Sequence, residues 1–196
     1  MMYTIRPIAT SAPLQITEVS HYAALRLRAL QTDPMSFSST YAHEAMFTEE
    51  EWRERLHSHD KTTFVAIDES DAEEFWVGTL TVLHPEMNIP PYSPGVPSVA
   101  MDADSEVHYL VGMWVHPFHR RKGVGRGLVE AAVRGVQERS AATGGSKSMK
   151  QVIALQVRVD NEAAIALYKA LGFAEATAFE KRGDSGLQIP MLMRVA

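Results

Sequence analysis

The stretch that decides the fold is Gly112-Met113-Trp114-Val115-His116-Pro117-Phe118-His119-Arg120-Arg121-Lys122-Gly123-Val124-Gly125-Arg126-Gly127-Leu128. It begins as an apolar, β-prone segment that ends at Pro117, continues as a basic turn with three glycines, and passes into a helical pattern at about Val124. Glycine allows consecutive backbone N–H groups to converge on one point, and the first turn of a helix carries unpaired N–H groups and partial positive charge. The stretch therefore predicts a strand, an anion-binding turn and the start of a helix.

The positive charge of this turn is local. Arg120, Arg121, Lys122 and Arg126 surround the predicted anion site, whereas the whole chain has a formal net charge of -5. Two common phosphate-binding motifs do not fit. The P-loop requires a lysine and a serine or threonine after its last glycine, but Gly127 is followed by leucine and valine. The dinucleotide motif requires G-x-G-x-x-G with an acid about 20 residues further on, and neither feature is present here.

Length and composition predict one globular domain spanning residues 1–196, large enough to bury on the order of 70% of its unfolded surface. The chain is 45% hydrophobic and 22% charged, which excludes disorder, and it has no cysteine, which excludes disulfides, thiolate metal sites and a thiol nucleophile. No apolar run approaches the roughly 20 residues of a membrane span, and the first residues lack the layout of a signal peptide. We therefore expect a cytoplasmic protein with no membrane partner, and mild net acidity argues against nucleic-acid binding.

The first half of the chain predicts a strand at 3–8, a helix at 16–30 and a β-hairpin formed by 62–67 and 75–83. Between the first helix and the hairpin, Thr48 and Glu51 have the spacing of a capping box and predict a further helix start. Residues 84–105 contain five prolines and predict a loop, since about 20 residues without regular structure are usually functional or mobile. We expect this loop to act as a lid next to the acceptor site, the alternative being a disordered insertion.

The second half predicts a strand at 106–115, a helix from Val124 to about Ala142 and a buried parallel strand at 152–157. A second polar motif follows, in which Asn161 occupies a helix N-cap position and Tyr168 lies seven residues further on. Seven residues bring two side chains to within about 20° on one helix face. By themselves these residues also fit a plain cap and a half-buried aromatic side chain.

The two motifs together resemble those of the GCN5-related N-acetyltransferase (GNAT) superfamily. Arg120-Arg121-Lys122-Gly123-Val124-Gly125 matches [Q/R]-x-x-G-x-[G/A] after a strand ending in Val-x-Pro, and Asn161 to Phe173 matches N-x6-Y-x3-G-F. The resemblance covers nearly the whole chain. It implies a single α/β domain with a mixed, mostly antiparallel sheet of about seven strands, flanked by about four helices and splayed between the fourth and fifth strands.

The resemblance also implies acetyl-CoA as cosubstrate and a role for each residue of the two motifs. The pantetheine arm would pair with the backbone of Met113, Trp114 and Val115, with an N–H at about Val115 directed at the thioester oxygen. The remaining cofactor-binding residues are those expected to hold the diphosphate, namely Arg121, Lys122, Gly123, Val124, Gly125 and Arg126, with Arg120 nearby and Asn161 on the pantetheine. Tyr168 would bind beside the thiol and act as the general acid that protonates the leaving thiolate.

The acceptor amine needs to lose a proton before it can attack. An alkylamine with a pKa of about 10.4 is neutral in only about one part in 2,500 at pH 7. Residues 107–115 contain no acid, so Glu106 and His108 are the candidate bases, and a water-relayed base is the alternative. The eight histidines include no pair at i, i+4, and no cluster of carboxylates lies beside any of them in the sequence, so we expect no metal.

The leading hypothesis is acetylation of a primary amine of a small molecule by direct attack in a ternary complex. The alternative is a protein acetyltransferase that acts on an N-terminus or a lysine, which an open groove would favour over a capped pocket. A second alternative is a non-catalytic acyl-CoA-binding sensor. The sequence is compatible with a monomer or a homodimer.

Overall fold

A computed structural model of the chain describes residues 2–9, 14–70, 74–89, 104–142, 149–176, 180–181 and 187–195. Its strands are β1 Tyr3–Pro7, β2 Lys61–Asp68, β3 Phe75–Leu83, β4 Ser105–Val115, β5 Lys150–Arg158, β6 Ala174–Glu175, β7 Glu180–Lys181 and β8 Leu187–Val195. Its α-helices are α1 Ile16–Thr32, α2 Tyr41–Glu44, α3 Glu49–Leu56, α4 Val124–Ala142 and α5 Glu162–Ala170. Short 3-10 turns cover Pro34–Ser36, Pro85–Met87 and Pro117–His119.

The strands form one sheet in the order β1-β2-β3-β4-β5-β8-β6, and β7 also pairs with β8. Only β4 and β5 run parallel within the described part of the chain, and the other pairs are antiparallel. The predicted mixed sheet is therefore confirmed, with eight described strands where about seven were expected. Of the predicted lid at 84–105, residues 90–103 lie outside the described residues.

Each face of the sheet is covered by helices whose apolar stripes were visible in the sequence. On one face, Val124, Leu128, Ala132 and Val136 repeat every four residues along α4 and are buried against β2, β3 and β5. On the other face, α1 and α3 pack a second apolar cluster against β2 and β3. The capping box that starts α3 forms as predicted, with both Thr48 and Glu51 bonding the opposite backbone N–H.

The sheet opens between β4 and β5. The two strands pair from Ser105 opposite Lys150 up to Leu110 opposite Leu155, and no pair joins them beyond that point in the described residues. At the same level β4 has one residue more than β3 between consecutive pairs, and Gly112 has a φ of 63° there. A glycine in the left-handed region is typical of a β-bulge, which bends the strand that carries it. The predicted splay is thus present, and it begins at the level of the bulge in β4.

Candidate active site

The basic turn between β4 and α4 has a left-handed backbone at two positions. Gly123 has a φ of 84°, which glycine adopts without strain, and Arg121 has a φ of 60°, which costs an L-residue about 1–2 kcal/mol. Turns of this kind curve the chain so that successive N–H groups face a common concavity, which suits an anion. The first N–H groups of α4 follow directly at Val124, Gly125 and Arg126, where an α-helix provides no internal acceptor.

The other two glycines of this region allow close packing. A Cβ on Gly125 would lie 3.2 Å from Cε of Met113 and 3.3 Å from Cδ2 of Leu167, so α4 approaches both β4 and α5 closely here. A Cβ on Gly127 would clash with Cδ1 of Ile5 in β1. Gly127, the third glycine of the motif, therefore serves the packing of α4 on the sheet.

Arg120 connects the turn to the end of α1. Its Nε donates to the backbone oxygen of Val115 at 2.9 Å, and its guanidinium forms an ion pair with Asp33. The same carboxylate oxygen accepts a hydrogen bond from Nε1 of Trp114 at 2.6 Å. Asp33, the C-cap residue of α1, thus anchors this corner of the site.

The edge of β4 that faces the splay presents the backbone of Val115. The N–H of His116 donates to Val77 of β3 at 2.8 Å, so alternation along the strand turns the N–H and C=O of Val115 to the opposite edge. The hydrogen bond from Arg120 to the oxygen of Val115 fits this orientation. The side chain of Trp114 is 4% exposed and belongs to the core under α1.

Helix α5 brings Asn161 and Tyr168 to the same cavity. Oδ1 of Asn161 caps the helix by accepting from the N–H of Ala164 at 3.2 Å, and the residue is exposed. The hydroxyl of Tyr168 is buried and donates to Sδ of Met113 at 3.0 Å, while its ring packs edge to face on Phe173. Burial raises the pKa of Tyr168 above its usual value, so this hydroxyl is protonated at neutral pH.

The cavity has a volume of about 1610 Å³ and joins two regions. The turn half is lined by the basic turn, the open ends of β4 and β5, and α5. The α1 half lies across the sheet, and its main lining residues are Tyr22, Arg26, Phe37, Arg55, Lys61 and Thr63. Because the two halves are continuous, a ligand in one can meet a ligand in the other.

The α1 half contains a buried ion cluster. The guanidinium of Arg26 donates to both carboxylate oxygens of Glu44, at 2.9 Å and 2.8 Å, and stacks on the ring of Phe37 at 4.5 Å. Nη2 of Arg55 lies 3.4 Å from the same carboxylate, which is fully buried. Burial alone would raise the pKa of Glu44, but the hydrogen bonds and charges of Arg26 and Arg55 bring it below its usual value. The carboxylate of Glu44 thus interacts with the guanidinium groups of both arginines.

Lys61 adds a third cation to this half. It is partly buried and lines the cavity, and its ammonium has no hydrogen-bond or ion-pair partner among the described residues. Burial lowers the pKa of Lys61, the charge of Asp60 opposes this change, and the charge of Arg55 adds to it. In the described lining of the cavity the only carboxylate is Asp33, which Arg120 and Trp114 already occupy.

The structure places both candidate bases, Glu106 and His108, outside this cavity. They belong to a buried chain of polar side chains at the start of β4, where β4 and β5 are still paired, and we call it the histidine chain. Its hydrogen bonds join Glu106 to Gln151 at 2.7 Å, Gln151 to His108 at 2.9 Å, His108 to His84 at 3.0 Å, and His84 to Thr62 at 2.9 Å.

The polarity of the histidine chain follows from its carboxylate end. Glu106 can only accept, so the amide nitrogen of Gln151 points to it and the amide oxygen faces Nε2 of His108. His108 therefore carries its proton on Nε2 and accepts through Nδ1 from Nδ1–H of His84, whose Nε2 accepts from Thr62. Burial lowers the pKa of His84 to about 4, and burial also lowers the pKa of His108. Both ring nitrogens of His84 and both of His108 are therefore hydrogen-bonded within this chain.

The sequence reasoning missed the ion cluster of the α1 half. One signal was available, because Arg26 lies in the apolar stripe of α1 between Leu25 and Ala29, and an arginine on a buried face requires an acidic partner. The partner, Glu44, could not be identified from spacing. Within the described ranges, no three acidic or histidine side chains converge as metal ligands would. In the same ranges no helix has both the length and the apolar character needed to cross a bilayer.

Comparisons with known proteins agree with this geometry. The family model described as acetyltransferase (GNAT) family matches residues 25–173. Ribosomal protein bS18-alanine N-acetyltransferase of Escherichia coli K12 is 41% identical over 68 residues, which are 35% of this chain and 40% of that enzyme.

Two solved structures have a similar fold. A GNAT-family acetyltransferase from Streptococcus pneumoniae has a TM-score of 0.63 at 19% identity, covering 100% of both chains. A chain of the NatC complex bound to Gag peptide and CoA has a TM-score of 0.62 at 17% identity, again covering 100% of both chains. At less than 20% identity, these two similarities support the fold alone.

Proposed function

Since this chain belongs to the acetyltransferase (GNAT) family, we propose that it transfers the acetyl group of acetyl-CoA to the α-amino group at the N-terminus of a peptide or protein. The alternative of a protein acceptor is better supported than the small-molecule amine that the sequence alone suggested. The E. coli relative is named for acetylating an alanine of a ribosomal protein, and the NatC structure contains a peptide with CoA. This chain spans 40% of the length of the E. coli enzyme, so the transfer of activity is part of the proposal.

The observation that carries the proposal is the charge of the cavity. Its described lining offers cations and no unengaged carboxylate that could remove a proton from the acceptor. An α-amino group has a pKa of about 7.7–8.0, so about one molecule in eight is neutral at pH 7, compared with about one in 2,500 for an alkylamine. An N-terminal amine therefore reacts here without a carboxylate base, whereas a lysine or an aliphatic amine would need one.

The size of the cavity fits two substrates bound at once. Its volume of about 1610 Å³ exceeds the roughly 300–1,000 Å³ of a typical small-molecule pocket. We assign the turn half to acetyl-CoA and the α1 half to the acceptor.

The turn half holds the cosubstrate through main-chain and cationic groups. The N–H groups at 121–126 and the surrounding arginines bind the diphosphate, and the side-chain amide of Asn161 donates to the pantetheine. The N–H of Val115 faces the splay, where it stabilises negative charge that develops on the thioester oxygen.

Tyr168 serves as the general acid. The acceptor nitrogen attacks the thioester carbon, the carbon–sulfur bond breaks, and the hydroxyl of Tyr168 donates its proton to the departing thiolate while the amine proton passes to solvent. The same hydroxyl already donates to the sulfur of Met113 at 3.0 Å, so its surroundings accommodate a sulfur acceptor.

A panel of three acceptors tests the proposal. The first is a lysine-free peptide with a free N-terminus, the second is an N-terminally blocked peptide with one internal lysine, and the third is a small alkylamine. Each is incubated with acetyl-CoA while thiol release is followed, and mass spectrometry locates the acetyl group. We expect rapid acetylation of the first peptide at its α-nitrogen. Faster reaction of the lysine peptide or the alkylamine would contradict the proposal, and tight CoA binding without any acetylation would indicate a sensor.

A further inference from the structure

We infer that Lys61 and Arg55 make the protein selective for acceptor peptides with an aspartate or glutamate at the second or third position. This inference rests on the proposed function, because it assigns the α1 half to the acceptor. It identifies two residues that determine specificity and the chemical class of peptide that they recognise.

The α1 half of the cavity has an uneven balance of charge. Arg26 and Arg55 share the single carboxylate of Glu44, and Lys61 lines the same half of the cavity without an ion pair among the described residues. Asp60 influences Lys61 through space but forms no ion pair with it among the described residues, and it accepts a hydrogen bond from Ser58. Glu44 can balance only one of the three positive charges, and Asp60 attracts Lys61 without pairing with it, so the described part of this half has a surplus of positive charge. In a partly desolvated cleft an acidic ligand is bound more strongly than in water.

Lys61 is partly buried and lacks a partner among the described residues. A partly buried ammonium without a partner costs free energy, because it gives up hydration and gains no hydrogen bond. A carboxylate from the acceptor supplies that partner at the moment of binding. Arg26 cannot be the principal contact, because its guanidinium is already held by both oxygens of Glu44 and is 5% exposed. Lys61 and the more exposed Arg55 are the cations that remain available.

Lys61 lies near enough to the reacting end of the cavity for one short peptide to contact both. Lys61 pairs with Leu83, and Leu83 pairs with Tyr109, so Lys61 stands two strands from β4 and about 10 Å from it. The hydroxyl of Tyr168 and Sδ of Met113 mark the end of the cavity where the acetyl group would be transferred. Met113 is four residues beyond Tyr109 in sequence, and because the bulge takes up one of them, it lies about three residues further along β4. Measured within the plane of the sheet, the separation is about 14 Å, and the side chains of Lys61 and of the peptide's acidic residue both reach toward each other across it. A peptide advancing about 3.3 Å per residue bridges the rest with a carboxylate on residue 2 or 3.

Peptides that differ at one position test the inference on the unmodified protein. The three peptides begin Ala-Asp, Ala-Asn and Ala-Lys and are otherwise identical, and free alanine is included because its own carboxylate is the other source of the same chemistry. We expect kcat/KM for the aspartate peptide to exceed that for the asparagine peptide by about tenfold, with the lysine peptide slower still. The ratio should decline as the salt concentration is raised from about 0.05 M to 0.3 M, because screening weakens the charge interaction.

Variants assign the preference to the proposed residues. Lys61→Met should lower the aspartate-to-asparagine ratio severalfold, with Arg55 responsible for the preference that remains, and Lys61→Arg should retain the full preference. Lys169→Met is the matched control, because Lys169 is exposed, pairs with Glu175 and does not line the cavity, so the ratio should be unchanged.

The outcomes separate the inference from the proposed function. Equal rates for the aspartate and asparagine peptides, or an unchanged ratio in Lys61→Met, would overturn the inference while leaving N-terminal acetylation in place. Preferential acetylation of free alanine would also overturn it. Failure of every peptide to react would overturn the proposed function and, with it, the inference.

Discussion

Acidification from pH 6.5 to pH 4 should destabilise the folded protein by about 3 kcal/mol through His84 alone. The folded environment lowers the pKa of His84 from 6.5 to about 4, mainly by burial, with the charges of Arg139 and His108 acting in the same direction. Each pKa unit corresponds to about 1.36 kcal/mol, which gives the figure of about 3 kcal/mol. The pKa of His108 is lowered too, so its contribution has the same sign.

The direction follows from proton binding. Below pH 6.5 the unfolded chain protonates His84, whereas the folded chain does not until about pH 4. The unfolded state then binds more protons, so the free energy of unfolding decreases as the pH falls. The stabilisation is complete above pH 6.5 and is lost by about pH 4. Carboxylates whose pKa is lowered in the fold, such as Asp68 and Asp104, lose their contribution mainly below this window.

Urea unfolding at intervals between pH 4 and pH 8 measures this effect when the parent is compared with His84→Asn. The asparagine amide can donate to His108 in place of Nδ1–H and does not titrate. The variant can differ in absolute stability, so the slopes are compared. The parent should lose about 3 kcal/mol more than the variant between pH 6.5 and pH 4, with a steepest slope of about 1.4 kcal/mol per pH unit.

Parallel curves for the two proteins would refute the reasoning, because they would mean that His84 binds protons equally in both states. Nitrogen NMR provides an independent check of the hydrogen-bond polarity. His108 should be the Nε2–H tautomer and His84 the Nδ1–H tautomer at pH 7. The opposite tautomers would contradict the chain that begins at Glu106.

Three further predictions concern the cavity. Tyr168→Phe should lower kcat by about 10²-fold or more with little change in the affinity for CoA, because it removes the general acid and otherwise only the hydrogen bond to Met113; an unchanged kcat in steady-state kinetics would exclude this role. Gly123→Ala should weaken CoA binding in calorimetry and cost about 1–2 kcal/mol of stability, because alanine is strained at a φ of 84°; wild-type affinity would show that the turn does not hold the diphosphate. Glu44→Gln should reduce the free energy of unfolding by about 3–5 kcal/mol by leaving Arg26 buried without its counter-ion, and Glu44→Leu combined with Arg26→Met should recover much of the loss in urea unfolding.

The elements of the fold were predictable because their signals are local. The apolar stripe of α4 and the caps at Thr48 and Asn161 each depend on residues within a few positions of one another, and all form as expected. The splay was implied by family resemblance and is present beyond Leu110. Its physical accompaniment, the bulge at Gly112, was not anticipated, since it becomes visible only when β4 is aligned with β3.

The location of the two candidate bases could not be predicted from their positions along one strand. Glu106 and His108 were proposed from their nearness to the motif in sequence, and the extended strand carries them several residues away from its open end. Their partners His84 and Gln151 lie 24 and 43 residues away from His108, so no spacing rule could have joined them.

The sequence by itself determined the family, the order of helices and strands, and the two motifs that line the turn half, because each depends on short-range periodicity, capping or backbone freedom. Only the tertiary structure decided the electrostatics. It brings Arg26 and Arg55 to the same carboxylate of Glu44, it leaves Lys61 without a partner in the described residues, and it places Asp33 as the only carboxylate in the described lining of the cavity. The physical reason is that charge interactions depend on distances in space and on desolvation. Both arise when strands and helices remote in sequence pack together, as Arg26 and Glu44 do across 18 residues and Trp114 and Asp33 across 81.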